Sequence, residues 1–262
     1  MMKIAVLQLD IAWHDEYENI ERVRSMISDG EAADLYLLPE MWSSGFTIEA
    51  AEVAQPEEAS PSLAFMLQTA RERDCAVVGS LVIKAEDGTF RNRLYFVTSE
   101  GIVARYDKRH LFRIGGETKR YTAGSERVTV EWRGVRFLLQ TCYDIRFPLF
   151  ARNRLRDGRP EYDVVIYVAS FPAERMAAWR VLAAARAIEN QAYCVAVNRT
   201  GDDAYCHYEG GSVVFDAAGD VATECGAEQQ IVVVQLDIEA LQEYRRRFPT
   251  LRDGDDFELY IK

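Results

Sequence analysis

A chain of 262 residues is long enough to bury a full hydrophobic core, and no linker, repeat or low-complexity stretch interrupts it, so residues 1–262 are expected to form one domain. A formal net charge of −11 leaves no room for the basic patches that nucleic acid or an anionic membrane surface requires, which points to a small-molecule partner. No apolar run reaches about eighteen residues, and the start, Met1 to Asp10, is too short and too soon polar for a signal peptide, so the expected location is the cytoplasm.

In chain order, short runs rich in Val, Ile, Leu and Tyr predict strands at 3–9, 34–39, 75–83, 93–98, 101–106, 128–132, 135–141, 163–169 and 193–198. Between them, apolar residues at spacings of three and four predict helices at 15–28, 60–73, 147–156, 174–190 and 238–246. Asp87-Gly88, Gly134 and Gly219-Asp220 are hairpin turn signals, so some strand pairs are antiparallel. The pattern is therefore α/β with a mixed sheet, which disfavours a simple Rossmann domain.

Three of the predicted strands run into a reactive side chain. Leu35-Tyr36-Leu37-Leu38-Pro39 ends on Glu40, Tyr106-Asp107 on Lys108, and Phe137-Leu138-Leu139-Gln140-Thr141 on Cys142. In open α/β folds the carboxyl ends of neighbouring strands converge on one crevice, so the three groups can meet. A thiol attacks a carbonyl as thiolate, a carboxylate can take its proton, and an ammonium can hold the resulting oxyanion. Such a set can hydrolyse an amide. The other cysteines, Cys75, Cys194, Cys206 and Cys225, complete an odd, scattered set without any Cys-x-x-Cys pair, so reduced thiols and no structural metal are expected.

Leu38-Pro39-Glu40, Tyr106 to Phe112 and Thr141 to Pro148, in this order, resemble the nitrilase (carbon-nitrogen hydrolase) superfamily. The resemblance continues through Ala185 to Gln191, Val197-Asn198-Arg199, Phe248-Pro249 and Asp253 to Leu259, and is greatest to the small bacterial ω-amidase branch. It implies an αββα sandwich of two mixed sheets. It also assigns the roles: Cys142 as nucleophile, Glu40 as base, Lys108 with the backbone N–H of Tyr143 at the oxyanion, and Glu117 orienting Lys108. Further implications are an α-keto dicarboxylic acid monoamide as substrate with water, no metal or organic cofactor, and a homodimer whose interface the stretch from Tyr244 to Lys262 would help to cross. Other activities of the superfamily remain open, namely a deaminated glutathione amidase, a carbamoylase or a nitrilase, although Tyr143-Asp144 in place of Trp-Glu favours amides over nitriles. Ser170-Phe171 departs from the Asn-Trp common in related ω-amidases.

Several residues have competing readings. The Pro148-containing helix start after Cys142 would favour a thiolate through the helix dipole. Arg146 is a candidate carboxylate clamp, but an internal ion pair with Asp144 is the expected reading. Trp179 could wall the pocket or belong to the core. Arg175 and Arg199 are further candidates for a substrate carboxylate. Two rival functions stand beside the amidase: a papain-like Cys142–His110 hydrolase, in which Lys108 would be dispensable, and a non-catalytic binding module.

Overall fold

The structure, a computed structural model, describes residues 1–255 and 257–260. In chain order the strands are β1 (Met2–Gln8), β2 (Leu35–Leu37), β3 (Ala76–Lys84), β4 (Phe90–Thr98), β5 (Gly101–Asp107), β6 (Thr129–Trp132), β7 (Val135–Thr141), β8 (Leu155–Arg156), β9 (Arg159–Pro160), β10 (Val164–Val168), β11 (Tyr193–Val197), β12 (Thr200–Asp202), β13 (His207–Glu209), β14 (Val213–Phe215), β15 (Val221–Glu224) and β16 (Gln230–Leu236). The helices are α1 (Glu16–Asp29), α2 (Ala50–Val53), α3 (Pro61–Arg73), α4 (Pro148–Ala151), α5 (Met176–Asn190) and α6 (Ile238–Arg247). One six-stranded sheet has the order β16-β1-β2-β3-β4-β5 and the other β15-β14-β11-β10-β7-β6, with parallel centres and antiparallel edges. Two ribbons, β8–β9 and β12–β13, lie outside them.

Strand periodicity explains the layering. In β1, Ile4 and Val6 face the second sheet, where Phe137, Leu139 and Ile166 meet them, whereas Ala5 and Leu7 face Ile20, Val23 and Ile27 of α1. On the far side, Leu138, Val165 and Cys194 turn outward to Trp179, Ala183 and Ala187 of α5. Each central strand is thus apolar on both faces, and each buried branched side chain contributes about 1.5–3 kcal/mol. The result is the αββα sandwich that the resemblance implies.

The register also sets the site. β2, β7 and β5 end at Leu37, Thr141 and Asp107, and Glu40, Cys142 and Lys108 follow those ends. Gly79 in β3 lets the 38–42 turn approach, since a Cβ there would stand 2.9 Å from the Leu38 and Trp42 side chains. Gly124 does the same for Lys108, because its Cβ would fall 2.2 Å from the Asp107 carbonyl oxygen.

Two expectations need correction. The helix predicted over 147–156 is only α4, because Arg127 caps the Phe150 and Arg152 carbonyls and Asn153 exchanges hydrogen bonds with Tyr162 and Asn190, which draws the chain out into β8. The predicted strands stop at 193–198, yet β14, β15 and β16 follow, and β16 pairs antiparallel along the whole of β1. Of the stretch expected to cross an interface, Asp256, Ile261 and Lys262 lie outside the described residues.

Candidate active site

Glu40 is fully buried just beyond β2, in a turn in which Met41 adopts φ +45°. Its Oε1 accepts Lys108 Nζ at 2.8 Å and Asn92 Nδ2 at 2.8 Å, and its Oε2 accepts the Ser170 N–H at 3.0 Å. Lys108, also buried, reaches both oxygens of Glu117, at 3.2 and 2.9 Å. Glu117 in turn accepts the Phe112 N–H at 2.6 Å, which closes the loop after β5 onto the ammonium. One ammonium therefore sits between two carboxylates.

Burial alone would lower the Lys108 pKa, but Glu117 and Glu40 outweigh it and hold the ammonium well above its ordinary value. Burial pushes the Glu117 carboxyl up, against the opposing pull of Lys108. The Cys142 thiol is raised well above the usual range, first by burial and then by the facing Glu40 charge. The expected dipole-favoured thiolate is therefore corrected. Cys142 opens a five-residue 3-10 helix, Cys142–Arg146, and α4 behind it has four residues, too little aligned backbone to outweigh desolvation.

Cys142 adopts φ +44°, a left-handed conformation costly for a side chain with a Cβ. Asp144 holds this turn in place. Its Oδ2 accepts the Thr141 N–H at 2.9 Å and the Tyr106 hydroxyl at 2.7 Å, while Oδ1 accepts the His110 N–H at 3.0 Å and faces His110 Nδ1 at 2.7 Å. The Cys142 turn is thus tied to the strand that delivers Lys108. As the second residue of the short helix, directly after Cys142 in sequence, Tyr143 has an N–H without an intrahelical acceptor.

In front of Cys142 lies a cavity of about 230 Å³, walled by Phe46, Ile48, Phe112, Phe171 and Pro172 with Tyr143, Arg146, Arg175 and the β12–β13 hairpin residues Asp203, Tyr205, Cys206 and Tyr208. That is smaller than the roughly 300–1,000 Å³ of pockets for drug-sized ligands, so the occupant is small.

Of the residues singled out in the sequence, Glu40, Lys108 and Glu117 come together in direct contact, with Cys142 facing Glu40. Arg146 forms no ion pair with Asp144, whose oxygens are filled by other donors. It lies instead over the Phe171 ring at 5.6 Å, on the cavity wall. Trp179 does not line the cavity: it is fully buried, packs against Phe171 with tilted rings 5.0 Å apart and donates to the Gly211 carbonyl. Arg199 is buried behind the hairpin, where its Nε and Nη2 donate to the Thr200, Ile11 and Asp202 carbonyls and its Nη1 faces Asp203 at 3.7 Å. His110 stacks on Phe147 at 3.7 Å and belongs to Asp144, so the group that joins the Glu40 carboxylate is Lys108.

Sequence reasoning missed Asn92. Its Nδ2 donates to Glu40 at 2.8 Å and to Glu117 at 3.1 Å, bridging the two carboxylates. The signal was a polar residue at an inward position of β4, two residues before Leu94 and four before Phe96. Ser170, where the sequence departs from the family pattern, binds Glu40 through both its N–H and its hydroxyl.

Comparisons with known proteins identify the family. The sequence profile of the carbon-nitrogen hydrolase family matches residues 3–246. The chain is 41% identical to the omega-amidase YafV of Yersinia enterocolitica over 98% of each chain, and 32% identical to the 2-oxoglutaramate amidase of Bacillus subtilis over 95% of this chain and 96% of that one. Among solved structures it superposes with a TM-score of 0.95 on a carbon-nitrogen hydrolase superfamily protein of Xanthomonas campestris bearing an arsenic adduct in its active site, at 40% identity and 99% coverage of both chains.

Proposed function

The chain belongs to the carbon-nitrogen hydrolase family and is a hydrolase of amide C–N bonds; from that premise we propose that it is an ω-amidase, releasing ammonia from a short α-keto dicarboxylic acid monoamide of the α-ketoglutaramate or α-ketosuccinamate type. The observation that carries the mechanism is the buried contact of Glu40 with Lys108 next to Cys142, which itself lines a small cavity. The names of the omega-amidase and 2-oxoglutaramate amidase relatives support the substrate class.

In this reading Glu40 removes the Cys142 proton as the sulfur attacks the amide carbon. The raised thiol makes this transfer part of the attack, not a preliminary to it. Lys108 Nζ and the Tyr143 N–H hold the oxyanion. Glu40 then passes its proton to the departing nitrogen, the C–N bond breaks and ammonia leaves a Cys142 thioester. Water, deprotonated by Glu40, attacks the thioester, and the acid departs as the thiol regains a proton. Glu117 keeps Lys108 aimed and charged, and every step is completed by side chains and backbone, with no metal or organic cofactor assigned. Arg146 is among the candidate contacts for the substrate's far end.

We further read residues 1–262 as one domain, place the enzyme in the cytoplasm and assign it a homodimer. The five free cysteines suit a reducing compartment, and no described helix is long and apolar enough to cross a membrane. Exposed Leu149, Val181, Ile188 and Phe248 lie on elements joined by the Arg152–Glu189 and Gln191–Phe248 hydrogen bonds, and we assign them to the face that meets a partner copy.

The test is an ammonia-release screen over short dicarboxylic monoamides, neutral amides, carbamoyl compounds and nitriles, with mass spectrometry for the Cys142 thioester. Fastest turnover of the anionic monoamides is expected. Better activity on a neutral amide, a carbamoyl compound or a nitrile overturns the ω-amidase reading and leaves the thiol mechanism standing.

A further inference from the structure

The cavity in front of Cys142 holds cationic charge that the reaction at its floor does not use. Arg146 and Arg175 both line it, and among the described residues neither guanidinium makes a hydrogen bond or an ion pair. Arg175 lies over the Phe112 ring at 5.1 Å and Arg146 over the Phe171 ring at 5.6 Å, and both rings face the same cavity. A ring face steadies a guanidinium and leaves its N–H donors uncommitted, whereas a carboxylate would occupy them.

The acid in the same wall cannot serve as their partner. Asp203 Oδ1 accepts the N–H groups of Tyr205 and Cys206, each at 2.8 Å, and Oδ2 accepts the Tyr208 hydroxyl at 2.7 Å and faces Arg199 at 3.7 Å. Its acceptors are taken from within the hairpin. Arg175 shares the cavity lining with Cys206, Tyr205 and Tyr208 of the hairpin. The far wall thus presents open cationic donors with no open anionic acceptor.

Resting on the reading of the protein as an amidase of dicarboxylic acid monoamides, we infer that Arg175, assisted by Arg146, is the specificity-determining subsite for the substrate's free carboxylate. Four lone-pair sites on the carboxylate allow one guanidinium to bind it bidentately while a second approaches from the side. This local pair also answers the long-range repulsion that a net charge of −11 imposes on an anionic substrate.

The experiment compares kcat/KM for glutaramate with that for pentanamide, a neutral amide of equal chain length, in the wild-type enzyme and in Arg175→Met, Arg175→Lys and Arg146→Met. The ratio is read on the folded, active fraction, so partial misfolding cancels. Arg175→Met should lower the glutaramate-to-pentanamide ratio by roughly 10- to 100-fold, chiefly through KM for glutaramate, with a smaller fall for Arg146→Met. Arg175→Lys should recover only part of it, because an ammonium cannot reproduce the bidentate fork. A wild-type enzyme that prefers glutaramate, with ratios unchanged within about twofold in both methionine variants, overturns the subsite alone. A wild-type enzyme that turns over pentanamide as well as glutaramate overturns the substrate reading and the subsite together.

Discussion

At the scale of single residues, the site concentrates opposite charge in a dry place and keeps its nucleophile protonated until a base acts. Groups arranged so tightly act as a unit: Cys142→Ala should abolish ammonia release, and Lys108→Ala and Glu40→Gln should each lower kcat by about a thousandfold or more. His110→Ala should be milder, since its ring serves Asp144; a loss as deep as that of Cys142→Ala, with Lys108→Ala still active, would restore the Cys–His alternative. The raised thiol has its own signature. Its thiolate fraction at neutral pH is small, so alkylation of Cys142 by a neutral haloacetamide should be slow near pH 7 and still climbing at about pH 9, where an ordinary thiol is half ionised. A rate flat from about pH 6 upward would mean a preformed thiolate. Glu40, Lys108 and Cys142 were legible because each ends an apolar run, which marks a strand terminus in a linear pattern. Asn92 was not, because its partners lie 52 and 25 residues away in the sequence and only the sheet brings them to one amide.

At the scale of elements, the second sheet is anchored to the C-terminal helix by one acid. Asp163, at the entry to β10, accepts Arg136 of β7 at 2.9 and 3.0 Å, and Arg245 and Gln242 of α6 at 2.6 and 3.1 Å. Burial alone would raise its carboxyl, but Arg136 and Arg245 prevail and hold it below the ordinary carboxylate range. A depressed folded-state pKa stabilises the fold above the unfolded value of about 3.9, and that contribution is lost as pH falls through the folded value. Asp163→Asn should therefore cost about 3–5 kcal/mol in urea unfolding at pH 7, because Arg245 is left buried without its partner, and the gap to wild type should narrow below about pH 4. A gap that stays constant to pH 3 would assign the loss to packing. The elements themselves were largely readable where apolar runs were long, as in β3, β4, β7 and α5. The strands β14 and β15 were not, since three or four residues carry too little periodicity, whereas β16 carries a strand signal in its Ile231–Val234 run.

At the scale of the whole molecule, the sandwich leaves its two helical layers unequal. α1 and α3 cover the first sheet, whereas over the second sheet α5 shows Val181 and Ile188 to solvent at 67% and 51% exposure, seven residues apart and hence on one face. Leu149 of α4, at 61%, and Phe248 after α6, at 56%, are exposed on neighbouring elements. The amphipathic pattern of α5 was readable in the sequence, but which of its apolar residues stay outside depends on where β10, β11 and β14 pack beneath it. A two-fold axis through this face would set α5 against its own copy, so each apolar residue contributes twice to the interface. The expected particle in light scattering has twice the chain mass of 29.8 kDa. Introducing Val181→Glu together with Ile188→Glu places like charges opposite one another across that axis and should yield monomers at micromolar concentration, with the fold retained because both side chains already face water. A wild-type monomer in the same measurement, or a double variant that remains dimeric, would remove this face from the assembly.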